Sequence, residues 1–114
     1  MNNEKKKPRA LPPPMLTIEL SKSVTTKGSD GETVYDEINL EEPNLDQITE
    51  FVKRAGSKGA LESMRWLISE ISGVPMVVLG KIKSRDYYKA QDYLSAYLTP
   101  PDEDDPEGNA GGSQ

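Results

Sequence analysis

The stretch Leu61–Val74, LESMRWLISEISGV, limits the possible folds more than any other part of the chain. Leu61, Met64, Leu67, Ile68 and Ile71 recur at spacings of three and four, which puts them on one face of an α-helix. Gly73 ends the run and Pro75 stands just beyond it, a glycine stop followed by a residue that cannot continue the helix. The spacing predicts a buried helix over about 60–72, with those five residues in the core. Trp66, the only tryptophan, falls at the edge of the stripe. It either closes the core, the commoner place for a tryptophan, or lies on a surface that meets a partner.

Such a helix needs neighbours, and the flanking segments supply them. Leu16, Ile18 and Leu20 alternate with polar residues, the period of a half-buried strand. Lys27-Gly28-Ser29-Asp30-Gly31 is turn chemistry. A second strand is expected over about 32–40, with Val34, Ile38 and Leu40 on one face, Asp36 interrupting it, and Tyr35, Glu37 and Asn39 on the other. Pro43 ends pairing. Asn44 and Gln47 have the spacing of a capping box for a helix over about 45–55. Leu45, Ile48, Val52 and Ala55 mark its apolar face, Phe51 widens it, and Glu50 and Arg54 are spaced as an i,i+4 pair.

Gly56-Ser57-Lys58-Gly59 reads as a break or a mobile connection before the central helix. After it, Val74-Pro75 opens a short segment, Met76 to Ile82, that is apolar nearly all round. It is either buried on several sides or partly exposed for a partner. Ser84 can cap a last helix over about 85–98, with Asp86 in its first turn. Tyr87, Ala90, Leu94, Tyr97 and Leu98 form the buried stripe, and Tyr88 and Tyr93 flank it. The expected fold is α+β: an N-terminal β-hairpin packed on a small bundle of three to four α-helices.

The two ends differ from this body. Residues 1–14 are a basic run followed by three prolines, and residues 99–114 are acidic and rich in Pro and Gly. Neither buries enough apolar surface to offset the entropy of ordering, so both are expected to be disordered around a domain of residues 15–98. That domain is small enough that a partner or self-association would help to stabilise it. The charge is divided to match: about +3 on the first ten residues, −5 on the tail, and −5 over the whole chain. An acidic body argues against broad phosphate binding. The absence of cysteine excludes disulfides and thiol chemistry. With no transmembrane run and no apolar leader segment, the expectation is a soluble intracellular protein.

Reactive chemistry finds no footing. Histidine is absent, which removes the commonest general base and, with cysteine missing too, the usual zinc ligands. The run Asp102 to Glu107 lacks the spaced ligands of a calcium loop and reads as an acidic tail. Glu41 and Glu42 are adjacent in a loop, and no nucleophile-elbow, P-loop or dinucleotide motif occurs. No enzymatic activity, cofactor or metal is expected. The best cationic cluster is Lys81, Lys83, Arg85 and Lys89, near Tyr87 and Tyr88, and its two flanking helical segments leave a small DNA-binding regulator as the alternative reading.

The order of elements carries a family resemblance. Leu40-Glu41-Glu42-Pro43-Asn44 joins the hairpin to the helices, and Leu67-Ile68-Ser69-Glu70-Ile71-Ser72-Gly73-Val74-Pro75 gives Leu-Ile, then Gly-x-Pro. Ile82, Arg85-Asp86, Tyr93-Leu94 and Tyr97-Leu98 follow. Over about residues 15–98 the chain resembles the phage tail assembly chaperones of Mu-like and related contractile-tailed phages, the small tail protein E type. The family usually has Thr where Asn44 stands, and relatives often carry small residues in place of Arg65-Trp66.

The resemblance implies a non-enzymatic protein of the bacterial host cytoplasm. It would bind the tape measure protein before the tail tube forms around it, and be absent from the mature virion. It also implies a late gene product with a longer isoform, made by programmed frameshift, that reaches the tail tube protein; self-association is a further expectation. Nucleic acid and membrane are not expected partners. Trp66, Met76, Val77, Tyr88 and Tyr93 are the residues expected on the partner surface.

Overall fold

The computed structural model describes residues 10–100. Alternation in the first segment produces a long antiparallel hairpin of β1 (Met15–Gly28) and β2 (Gly31–Glu41). Ser29 and Asp30 make the turn, and Gly31 takes a φ of 114° that a side chain would strain. Near the chain ends of the hairpin, Leu16 stands opposite Leu40 and Ile18 opposite Ile38. These inward pairs meet the helices, with Ile18, Ile38 and Leu40 buried. On the outer face Thr17 opposes Asn39, and its hydroxyl donates to Asn39 Oδ1 at 2.7 Å.

The regular register stops after Glu19↔Glu37 and resumes at Val24↔Tyr35. Residues 20–23 of β1 thus stand opposite Asp36 alone, a wide irregularity that turns the distal hairpin. It changes which face of β2 is inward. Val34, expected beside Ile38 and Leu40, is 53% exposed, whereas Tyr35, expected outside, packs on the core with buried Val24. Strict alternation fails here because the extra residues on β1 break the pleat between the two halves.

Asn44 caps α1 (Leu45–Lys58) through the expected box. The Gln47 N–H donates to Asn44 Oδ1 at 2.9 Å, and the Asn44 N–H to Gln47 Oε1 at 3.0 Å. The helix does not break at Gly56. It runs to Lys58, and Gly59, at φ 92°, separates it from α2 (Ala60–Ser72). Gly73 then ends α2 in the left-handed conformation, at φ 80°. Met64, Leu67 and Ile68 are buried as expected, and Ile71 packs on the core. Leu61 is the exception: it is 69% exposed, because it lies in the first turn of α2 where no element covers it.

Pro75 leads into α3 (Met76–Leu79), a single turn. Val78 and Leu79 are buried and Val77 is 61% exposed, so this segment is partly core and partly surface. Arg65 holds the turn to α2: its Nε and Nη2 both donate to the Met76 carbonyl, at 3.0 and 2.7 Å. The last helix, α4 (Ser84–Leu98), starts without a side-chain cap. Ser84 is its first residue, and Lys83 occupies the cap position. The buried stripe of α4 comprises Asp86, Ala90, Tyr93 and Leu94. It faces β1, whereas α2 packs on β2 and α1.

Two polar links tie α4 to the rest of the chain. Asp86, fully buried, accepts from both the N–H and the hydroxyl of Ser21, each at 2.9 Å. Ser21 lies in the irregular part of β1, where its N–H has no strand to pair with. At the other end of α4, Tyr93 donates to the Pro13 carbonyl at 2.7 Å, and the Tyr97 hydroxyl reaches the carbonyls of Pro12 and Pro13. The Glu42 N–H donates to the Pro14 carbonyl at 2.9 Å. The last residues of the proline-rich arm are therefore held against the domain. Residues 1–9 of that arm, and the acidic run Asp102 to Glu107, lie outside the described residues.

Candidate partner-binding groove

Because α4 packs on β1 and not along α2, the start of α2 and the outer face of α4 are left facing each other across a gap. The gap holds two adjoining hollows. One, of about 460 Å³, lies among Leu61, Ile68, Leu79, Ile82 and Tyr87. The other, of about 450 Å³, lies among Phe51, Met64, Leu98 and the same Leu61 and Tyr87. Leu61 and Tyr87 line both, so the hollows form one apolar groove with Leu61 at its waist. A groove of this size, floored by aliphatic and aromatic side chains, suits the apolar face of a helix.

The electrostatics of the groove are uneven. Lys58, Glu62 and Arg65 line its α3 end, whereas no charged residue lines the end formed by Phe51, Gln91, Ser95 and Leu98. Burial and the neighbouring Tyr88 ring raise the Tyr87 hydroxyl above its usual pKa, so it stays neutral through the physiological range. Among the described residues no group of His, Cys, Asp and Glu is placed to hold a metal ion, and no helix is long and apolar enough to cross a membrane.

The residues expected on the partner surface are scattered. Tyr88 and Val77 are exposed, at 57% and 61%, and Met76 is half-buried. Trp66 is half-buried and packs on the core, with the Arg54 guanidinium 4.5 Å above its ring. Arg54 is fixed there by Glu50 Oε2 at 2.9 Å. Tyr93 is buried, and its hydroxyl is tied to Pro13. None of the five lines the groove.

The groove residues escaped sequence reasoning for a definite reason. Leu61 continues the core stripe of α2, and Tyr87 and Leu98 continue that of α4, so periodicity assigns all three to the interior. A hint lay in α4, where Tyr87, Gln91, Ser95 and Leu98 form a second, partly apolar row beside the Ala90–Leu94 stripe.

The cationic residues Lys81, Lys83, Arg85 and Lys89 are exposed around the α3–α4 turn. They do not form a helix-turn-helix, since α3 is a single turn and offers no first helix.

The chain matches no curated protein sequence and no solved structure. One family profile matches, described as "Phage tail assembly chaperone proteins, E, or 41 or 14", over residues 17–99. That span takes in nearly all of the hairpin and all four helices, including every residue that lines the groove. The chain belongs to this family of phage tail assembly chaperones.

Proposed function

We propose that the chain binds the tape measure protein in the cytoplasm of the bacterial host, keeps it soluble, and helps to recruit tail tube subunits during tail morphogenesis. The protein acts by binding and not by catalysis, and it leaves before the virion is complete. A longer isoform made by frameshift supplies the contact with the tail tube protein. The observation that carries this reading is the apolar groove between α2 and α4, with Leu61 exposed at its waist in a chain of the chaperone family.

The physical basis is simple. A long helical protein exposes apolar stripes until its own assembly covers them, and such stripes associate nonspecifically. A small domain with a helix-sized groove covers one stretch, and several copies on one chain gain further by multivalency. Co-expression of the tape measure protein with this chain tests the proposal. A soluble complex that survives gel filtration is expected, and it should be lost with Leu61→Asp. Equal insolubility of the tape measure protein with and without the chain would contradict it.

A further inference from the structure

Polar anchors hold α4 from the side away from the groove. Asp86, Tyr93 and Tyr97 follow one another at spacings of seven and four, so they share a face of the helix. Asp86 is tied to Ser21 of β1, and Tyr93 and Tyr97 are tied to the carbonyls of Pro12 and Pro13. The groove side of α4 carries Tyr87, Gln91, Ser95 and Leu98, at spacings of four, four and three. The last two turns of α4 therefore stand between a segment of the arm and the neutral end of the groove.

That segment, Pro12-Pro13-Pro14, suits a fixed position. Proline sets φ and has no N–H, so little chain entropy is lost on docking and the carbonyls are left to accept. All three carbonyls are used. Pro12 and Pro13 accept from the tyrosines, and Pro14 accepts from the Glu42 N–H at 2.9 Å, just past the end of β2. Pro12 is half-buried, whereas Pro13 and Pro14 are exposed, so hydrogen bonds more than buried apolar area hold the segment. The two tyrosine rings meet edge to face with centroids 5.5 Å apart, which orients both hydroxyls together.

Resting on the groove reading above, we propose that Pro12–Pro14 form a strap that, through the hydroxyls of Tyr93 and Tyr97, positions the last two turns of α4 as the wall of the groove's neutral end. Tyr93 and Tyr97 are positioning residues, since neither lines the groove. Without the strap, the wall carrying Ser95 and Leu98 loses its set distance from Phe51 and Met64, and binding must then also order it. Strap docking and occupancy of the groove are linked, each favouring the other.

The full-length chain and one synthetic amphipathic helical peptide with a leucine stripe test this. Tyr93→Phe/Tyr97→Phe removes the hydroxyls and keeps the rings, and it should weaken peptide binding about fivefold. Gly31→Ala, strained at the hairpin tip and remote from the groove, should lower stability and leave the affinity unchanged. A second readout needs no substitution. Saturating peptide should slow exchange of the Glu42 amide, whose acceptor is the Pro14 carbonyl.

An unchanged affinity in the folded tyrosine variant, or Glu42 exchange indifferent to the peptide, would overturn the strap's role and leave the groove reading intact. No binding to the parent chain, or binding that survives Leu61→Asp, would remove the groove reading and the strap's role with it.

Discussion

Asp86 is the place where a single atom change tests the packing of the whole domain. Its carboxylate is fully buried and accepts two hydrogen bonds from Ser21 through Oδ2, whereas Oδ1 has no partner among the described residues. Hydrogen bonds to a charged group contribute about 1.5–3 kcal/mol each, but here the desolvation of a half-satisfied carboxylate opposes them. Asp86→Ala loses both bonds and leaves the Ser21 N–H without a strand or side-chain acceptor. Since Ser21 itself is exposed, water recovers part of that loss. The expected cost is about 2–3 kcal/mol, which for a domain of this size lowers the melting temperature by about 4–8 °C per kcal/mol.

Asp86→Asn separates the two terms. Its amide oxygen keeps both bonds and the buried charge is removed, but its NH2 takes the place of the unpartnered Oδ1 and brings buried donors without acceptors, so it should cost about 1–2 kcal/mol, less than Asp86→Ala. Ser21→Ala removes the hydroxyl donor alone, at about 1 kcal/mol, and a double-mutant cycle with Asp86→Ala should return a coupling of similar size. Urea denaturation of the parent, the three single variants and the double variant, followed by circular dichroism, measures all of this. If Asp86→Ala stays within about 0.5 kcal/mol of the parent chain, the link between β1 and α4 contributes nothing and the reasoning fails.

Three further outcomes follow from other contacts. A Cβ at Gly80 would stand 2.6 Å from Arg65 Nη2, so Gly80→Ala should destabilise by about 1 kcal/mol through the displaced Arg65–Met76 bonds. In an Arg65→Ala background the same change should be neutral or slightly stabilising, as the denaturation midpoints of the four proteins would reveal. Asn44→Ala should cost about 1 kcal/mol and fray the start of α1, visible as faster amide exchange at residues 46–48.

Burial, then the neighbouring Tyr97, pushes the Tyr93 hydroxyl up to about 12. The folded state thus holds its proton more tightly than the unfolded state, and this stabilisation is complete below pH 10 and lost as the pH rises from about 10 to about 12. A tyrosinate titration by absorbance should lose its late component in Tyr93→Phe.

Much of the fold was legible because local chemistry and tertiary packing agree. The capping box at Asn44, the glycine stop at Gly73 and the two amphipathic stripes on either side of α3 are local signals that the packing preserves. The irregularity after Glu19 was not legible. It depends on Asp86, far along the chain, accepting the N–H that β2 cannot reach. For the same reason the inward turn of Tyr35 and the outward turn of Val34 are invisible to a period of two.

The groove was hidden differently. Its apolar residues look like core, and only the docking of α4 on β1 leaves them open. α1 shows the same limit: Leu45 and Val52, on its apolar face, are 74% and 62% exposed, whereas Phe51 packs against the core and Ile48 and Ala55 are half-buried. Periodicity identifies an apolar face, and topology decides whether anything covers it.

Residue-resolved crosslinking locates the surface of the chain that meets the tape measure protein. A photo-crosslinking residue is placed at position 61, at the waist of the groove, and separately at position 33 on the exposed distal hairpin, in cells that also make the tape measure protein. The substitution at position 61 should not unfold the chain, because Leu61 is 69% exposed in the parent. A crosslink to the tape measure protein is expected from position 61 and none from position 33. Crosslinking from position 33 with none from position 61, in a folded chain, would contradict it.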